Sequence, residues 1–307
     1  MNACDVSVII CTYNRATYLL NALKSLCNQT AETQNFEVIV VNNASTDETD
    51  CLMKEFLQES RALRIEYLIE TKQGSSFARN AGAGIARGKY LCFMDDDAEA
   101  TPNYIENIMA FFRSTPDAAV LGGRIIPNYV PQKPDWMSHY VSSLVGNFHY
   151  ANRIQPFRQG HFPFESNLVI EANAFRSVNG FPEHLPGVAG SIRIGGEGKD
   201  LVSRILATGK LSYYDPQVVV YHVVEVNKLT PAYMEKVAKG IGAGERLRIH
   251  NNGTPSPVVK FCEYCFKLLA AIILGVGYAI QGNPQQTLPI IVYRKDAILG
   301  FLQQKIT

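Results

Sequence analysis

The chain reads as an α/β protein with a mostly parallel central sheet flanked by helices and a helical C-terminal extension. Three observations lead there. Short apolar runs alternate with amphipathic stretches through the N-terminal third of the chain, the rhythm of strands joined by crossover helices. Three of those runs end in polar loops, which such a topology gathers on one sheet edge. The C-terminal part then changes character, with an uninterrupted apolar run over Leu268–Ile280.

Val6–Cys11 is apolar and followed by Thr12, Tyr13, Asn14 and Arg15, the pattern of a buried strand ending in a loop. Leu19, Leu20, Leu23 and Leu26 recur at helical spacing over 16–28. A second buried strand, Phe36–Val41, ends in Asn42, Asn43, Ala44, Ser45, Thr46 and Asp47, and 48–58 reads as a helix. Ile65–Leu68 is a third strand, 75–86 a helix rich in small residues, and Tyr90–Met94 a fourth strand. A helix over 102–114 leads to a strand at Ala119–Gly123. An irregular stretch holds Pro127, Pro131, Pro134 and the single tryptophan, Trp136. Beyond it come a strand-like run (Leu168, Val169, Ile170), a helix and a turn at Asn179-Gly180. Glycines 187, 190, 195, 196 and 198 surround a short loop before a helix that begins near Glu197, and 217–224 is a last strand with His222 near its end. Residues 1–225 are expected to form one domain, and 226–307 is a helical segment.

Composition narrows the function. A net charge of +1 gives no reason to expect nucleic acid. Seven cysteines without regular spacing suggest reduced thiols rather than a disulfide framework. Cys262 and Cys265 lack the second pair a zinc site needs and read as one helix turn. Asp5 interrupts any signal-peptide pattern, so the catalytic part is expected on the cytoplasmic side, with the inner face of the cell membrane as its neighbour. Leu268–Ile280 falls short of the ~20 residues of a spanning helix. A buried core helix, a helix lying in the membrane interface and a short or re-entrant segment all fit. Peripheral membrane contact through 261–302 is the expectation, with Arg294 and Lys295 facing anionic headgroups.

Asp95, Asp96 and Asp97 follow the fourth apolar run. Carboxylates this close repel one another unless a positive charge sits among them. A divalent cation such as Mn²⁺ or Mg²⁺ meets that need and leaves positions open for phosphate oxygens. The plainer reading is an acidic turn that caps the next helix.

The ordered set Val8-Ile9-Ile10-Cys11-Thr12-Tyr13-Asn14-Arg15, Val40-Val41-Asn42-Asn43-Ala44-Ser45-Thr46-Asp47, Gly74 with Ala78-Arg79-Asn80, Gly88-Lys89-Tyr90 into Asp95-Asp96-Asp97, and Gly195-Gly196-Glu197 with Asp200-Leu201 and Arg204 resembles the family 2 glycosyltransferases. The resemblance covers roughly residues 5–225, and within the expected domain it implies a nucleotide-binding half at 1–100 and an acceptor half at 101–225. It implies the GT-A fold, a nucleotide-sugar donor (a UDP-sugar foremost), a divalent cation, and inverting transfer to a hydroxyl of a glycan or lipid-linked acceptor, in surface polysaccharide or glycolipid synthesis. A non-catalytic nucleotide-sugar-binding partner of another transferase is the alternative. A nucleotidyltransferase or a nicotinamide enzyme would carry a glycine-rich loop after its first strand, and Thr12–Arg15 is not one.

By this resemblance Thr12 and Asn14 meet the nucleotide and Arg15 a phosphate, unless Arg15 is a surface charge at a helix start. Asn42 stands where the family usually has an aspartate for the uracil N–H; its amide oxygen can still accept. Asp47 reads as the cap of the following helix. Arg79 is expected at the diphosphate, or else paired with the acidic strand end. Asp95 leans toward the ribose, Asp96 stands beside it, and Asp97 binds the cation. His222 completes the metal shell or is structural, and Asn167 lies near the donor sugar. Trp136 either covers the acceptor or anchors its loop. The base is the main departure: family members usually read Glu-Asp where this chain reads Glu197-Gly198. The candidates become Glu197 and Asp200, whose bland reading is favourable negative charge at a helix N-terminus.

Overall fold

The computed structural model describes residues 4–59, 63–189, 192–252 and 255–303; Gly190, one of the loop glycines named above, lies outside them. The described residues divide into two compact units. The first comprises Met1–Ile126, Phe148–Glu183 and Gly198–Val223, the second Pro127–Asn147, His184–Glu197 and Val224–Thr307.

In the first unit, β1 (Val6–Thr12), α1 (Ala16–Cys27), β2 (Phe36–Asn42), α2 (Thr49–Glu59), β3 (Ile65–Ile69), α3 (Ser75–Ile85) and β4 (Tyr90–Asp95) follow the expected alternation. β1, β2, β3 and β4 are parallel, in the order β3-β2-β1-β4. Because side chains alternate across a strand, Val6, Val8, Ile10, Val38 and Val40 fill one apolar layer while Ile9, Ile39 and Val41 fill the other. Leu19, Leu23 and Leu26 of α1 close the first layer and Ala78 and Ala83 of α3 the second. The small residues of α3 have a cause: a Cβ on Gly82 would stand 2.6 Å from Cγ2 of Ile9, so the helix lies directly on the sheet.

Past β4 the chain departs from the sequence reading in four places. The acidic turn leads not into a helix but into a short strand, β5 (Ala98–Ala100), and α4 (Tyr104–Ser114) starts later. β6 (Ala118–Tyr129) is longer than its apolar run and continues through Pro127; only Val120–Gly122 pair with β8 (Asn167–Glu171), which itself runs antiparallel to β4. β11 starts well before residue 217 and covers Leu211–Val224, bonded at Tyr213 and Tyr214 to β7 (Gln155–Pro156) and at Val220–His222 to β5. Backbone pairing, which leaves no apolar period, extends both strands. Finally, the glycine-rich loop holds a hairpin, β9 (Gly187–Ala189) and β10 (Ile192–Ile194). Two short helices, α5 (His139–Ser142) and α6 (Ala172–Ser177), and the longer α7 (Glu197–Ala207) complete this part of the chain.

The second unit is mainly helical, with α8 (Pro231–Asn252), α9 (Pro257–Ile280) and α10 (Thr287–Leu302). Glycines let α8 and α10 touch through their backbones: a Cβ on Gly242 would lie 2.0 Å from the carbonyl oxygen of Ala297, and one on Gly300 would lie 2.0 Å from that of Lys239. Met137, Val141 and Leu144 join Met234, Val237, Ala271 and Ile290 in one apolar cluster, and Trp136 packs against it, so the tryptophan anchors its loop. Among the described residues no helix is long and apolar enough to cross a membrane. Cys262 and Cys265 sit on α9 as free thiols.

Candidate active site

The chain leaves β1 outward to β2 and β3, then returns to place β4 on the other side of β1. β1 and β4 thus flank the point where the strand order reverses, and a crevice at such a switch point is where open α/β sheets bind ligands. Cys11 is paired with Asp95, so Thr12–Arg15 and Asp95–Asp97 leave the sheet side by side.

Arg15 bridges the acidic turn. Its Nη1 lies 2.5 Å from Oδ2 of Asp97 and 3.2 Å from Oδ1 of Asp96. Asp96 and Asp97 are both buried. Burial raises the Asp96 carboxyl above its ordinary range, Arg15 pulls it down, and the charge of Asp97 pushes it up again. Beside them Nη2 of Arg79 stands 3.5 Å from Oδ1 of Asp95, with the guanidinium over the Phe181 ring.

His222 reaches this corner because β11 pairs with β5, which opposes His222 to Ala98. The Val223 N–H donates to the Asp97 carbonyl at 2.8 Å, and Nε2 of His222 lies 3.1 Å from Oδ1 of Asp97. Asp95, Asp97 and His222 each offer a ligand atom within 4.8 Å of the others. Ligands at ~2.1 Å from one ion stand at most roughly 4.2 Å apart, so small side-chain adjustments close the set around a cation. Nδ1 of His222 is buried without a hydrogen-bond partner among the described residues, while the Thr12 side chain supports the Asp96 carboxylate. The two carboxylates and the imidazole fit a divalent ion held by Asp95, Asp97 and His222.

The second loop is organised by amides. Asn14, at φ 54°, accepts at Oδ1 from the Thr46 N–H at 2.7 Å, and its own N–H donates to Oγ of Ser45 at 3.0 Å. Its polar atoms thus hold the 45–47 loop. Asn42 is buried; its Oδ1 accepts from the Ser45 N–H at 2.8 Å and its Nδ2 donates to the Tyr67 hydroxyl at 2.8 Å. That hydroxyl donates onward to Asp50 at 3.1 Å. Asp47 caps α2 through the Thr49 N–H at 3.1 Å.

Asn167 lies deeper than a sugar contact would. It is fully buried, donates to the carbonyls of Arg124 and Val218, both at 3.0 Å, and accepts from the Tyr104 hydroxyl at 2.8 Å. Asp200 is buried and accepts from Nε of Arg204 at 2.7 Å, while Arg204 also donates to the carbonyls of Val178 and Gly180. Glu197 is buried as the first residue of α7.

The profile of the family described as Glycosyl transferase family 2 matches residues 7–178, more than half of the chain. The chain belongs to the family 2 glycosyltransferases. This glycosyltransferase is 26% identical over 222 residues to a Haloferax volcanii glucosyl-dolichyl phosphate glucuronosyltransferase, a match covering 71% of this chain and 68% of the relative. It is 36% identical over 145 residues to a validoxylamine A glucosyltransferase of Streptomyces hygroscopicus subsp. jinggangensis, covering 47% of this chain and 33% of the relative. Several further curated relatives are matched over less than half of their own length. Among solved structures, a Pyrobaculum calidifontis mannosyltransferase in complex with GDP-Man and Mn²⁺ superposes with a TM-score of 0.69 at 18% identity, over 99% of this chain and 89% of that one. That likeness establishes the GT-A fold.

Two residues of this glycosyltransferase escaped the sequence reading. Asn43 donates to the carbonyls of Glu70 and Lys72 and accepts from the Gly74 N–H at 2.8 Å, ordering the segment before α3; its place in the Asn42-Asn43 pair was the available signal. Glu165 accepts from the Gly198 N–H at 2.8 Å, and nothing in the Phe164-Glu165-Ser166 stretch marks it in the sequence.

Proposed function

We propose that the chain transfers a sugar from a nucleoside-diphosphate sugar, with a UDP-sugar as the first candidate, to a hydroxyl acceptor with inversion at the anomeric carbon. The observation that carries this is the convergence of Asp95, Asp97 and His222 within 4.8 Å, next to the Arg15 and Arg79 guanidiniums, at the carboxyl edge of a parallel sheet. A divalent cation bound there neutralises charge on the diphosphate as it leaves. The imidazole ligand favours Mn²⁺ over Mg²⁺, which prefers oxygen. The similarity to a mannosyltransferase in complex with GDP-Man and Mn²⁺ supports a diphosphate donor and this ion. Thr12, Arg15 and Arg79 line the donor crevice in this reading. Arg15 would exchange one carboxylate for phosphate oxygens, which a guanidinium pairs in bidentate fashion.

The acceptor is lipid-linked or a surface glycan reached from the membrane. The dolichyl phosphate relative supports the lipid reading. So does α9, where exposed Phe266, Leu269, Ile273, Val276 and Ile280 recur at three- and four-residue spacing. A stripe of that length suits the headgroup–acyl boundary of a membrane better than water. The two sequence candidates for the base stand at the start of α7, where Asp200 is tied to Arg204 and Glu197 is the first residue of the helix. Gly198 in the usual aspartate position favours one competing reading, a donor-binding partner without activity.

A thermal-shift screen of nucleoside diphosphates and their sugar conjugates with and without Mn²⁺, followed by transfer assays on the hits, tests the proposal. Binding raises apparent stability with affinity. Mn²⁺-dependent stabilisation by a nucleoside diphosphate, together with turnover, is the expected result. Binding without turnover on any hydroxyl acceptor would select the non-catalytic reading.

A further inference from the structure

Gly198 is the second residue of α7, and the space a side chain would need there is taken. A Cβ built on Gly198 would lie 2.2 Å from Oε1 of Glu165 and 2.5 Å from its Cδ and Cγ. The Glu165 carboxylate thus fills the volume beside the helix that an aspartate at 198 would fill. It is also held there, since Oε1 accepts the Gly198 N–H at 2.8 Å. Glu165 stands two residues before β8, whose first residue, Asn167, is paired with Met94, the residue before Asp95. The carboxylate therefore comes from the same end of the sheet as the acidic turn. It is half-buried rather than sealed in the core, as a group that must meet an incoming acceptor has to be.

We propose that Glu165 is the general base of the transfer, a carboxylate moved from the helix to the strand-entry loop while keeping its place in space; this rests on the donor-site reading above. The acceptor O–H gives its proton to Glu165 as the acceptor oxygen bonds to the anomeric carbon. The bond from that carbon to the diphosphate oxygen breaks, and its electron pair leaves with the diphosphate. A side chain at 198 and Glu165 exclude each other: with glutamate in that space only glycine fits at 198, and with glycine at 198 the glutamate can enter.

A purely structural role, in which Glu165 only caps α7, makes different predictions. Glu165→Gln keeps the amide oxygen that accepts the Gly198 N–H but cannot take a proton. For a base, kcat for release of nucleoside diphosphate from the donor selected in the thermal-shift screen, with octyl glucoside as hydroxyl acceptor, should fall roughly 10²–10⁴-fold. The donor KM and the Mn²⁺-dependent thermal shift should stay within about twofold. The acid limb of the pH profile of kcat/KM should disappear.

The second variant is a transplant. Glu165→Ala empties the space, and adding Gly198→Asp returns a carboxylate to it from the helix side. The double variant should recover at least about tenfold of the rate lost in Glu165→Ala. Transfer by Glu165→Gln within about threefold of the unaltered protein, or a double variant no faster than Glu165→Ala, would overturn the assignment and leave the donor site standing. If the unaltered protein shows no Mn²⁺-dependent stabilisation by UDP or GDP, the donor reading fails, and the base assigned to it fails too.

Discussion

At the residue scale, Asp97 is the point on which a guanidinium and an imidazole converge. Its two oxygens face different groups, Nη1 of Arg15 at 2.5 Å and Nε2 of His222 at 3.1 Å. In the proposed site, replacing it removes a cation ligand and also takes one carboxylate from Arg15, so Asp97→Ala should abolish the Mn²⁺-dependent part of the thermal shift produced by a nucleoside diphosphate. A shift that persists at full size would remove Asp97 from the metal site. Asn42 makes a second case. Its amide donates to the Tyr67 hydroxyl, which in turn donates to Asp50, a relay that works only with a donor at position 42. Asn42→Asp restores the usual family residue but sets two carboxylates competing for one hydroxyl proton. Chemical denaturation should show a loss of about 1–2 kcal/mol. The positions of both residues were legible from sequence because they follow apolar runs. The work of Asn14, whose amide clasps a loop more than a turn away in sequence, was not, because no local pattern encodes a long-range hydrogen bond.

At the element scale, the parallel half of the sheet could be read directly, since strands buried on both faces appear as continuous apolar runs. The antiparallel half could not. β5 has three residues, and β6 and β11 are carried past their apolar segments by backbone pairing. That pairing matters for the site, because it is the β5–β11 ladder that sets His222 against the acidic turn. On α9 the sequence showed the apolar content but not which residues face inward. Tyr264, Ala271 and Gly275 are buried, while Phe266 and Ile273 are 73% and 74% exposed. Substituting both Phe266 and Ile273 with glutamate should abolish sedimentation with vesicles containing anionic lipid. The nucleoside diphosphate thermal shift should be unchanged. Equal sedimentation of variant and parent would exclude this stripe as the membrane contact.

At the scale of the whole molecule, the seven thiols report on the sheet. Burial pushes Cys4 up to about 11 and Cys92 up to about 12, while Cys27, Cys51 and Cys262 are exposed and the hydrogen bond with Glu55 raises the Cys51 thiol. Thiolate is the reactive form, so a maleimide or disulfide reagent at mildly alkaline pH should modify Cys27 and Cys262 first. Cys92, buried in the apolar layer on one face of β4, should become available only as the first unit unfolds. Early modification of Cys92, read by peptide mass, would contradict its place in the core. The fold class, the edge of the sheet and the acidic turn could all be anticipated from order and spacing. The Gly198–Glu165 exchange could not, because it depends on two segments that only the folded chain brings together.

The order in which the ligand candidates appear along the chain has a consequence for synthesis. Asp95 and Asp97 are made early, whereas His222 lies on the last strand of the first unit and emerges from the ribosome much later. A nascent chain halted before β11 holds both carboxylates of the proposed cation site and lacks its imidazole. On that reading the growing polypeptide gains its full ligand set only once β11 has been translated.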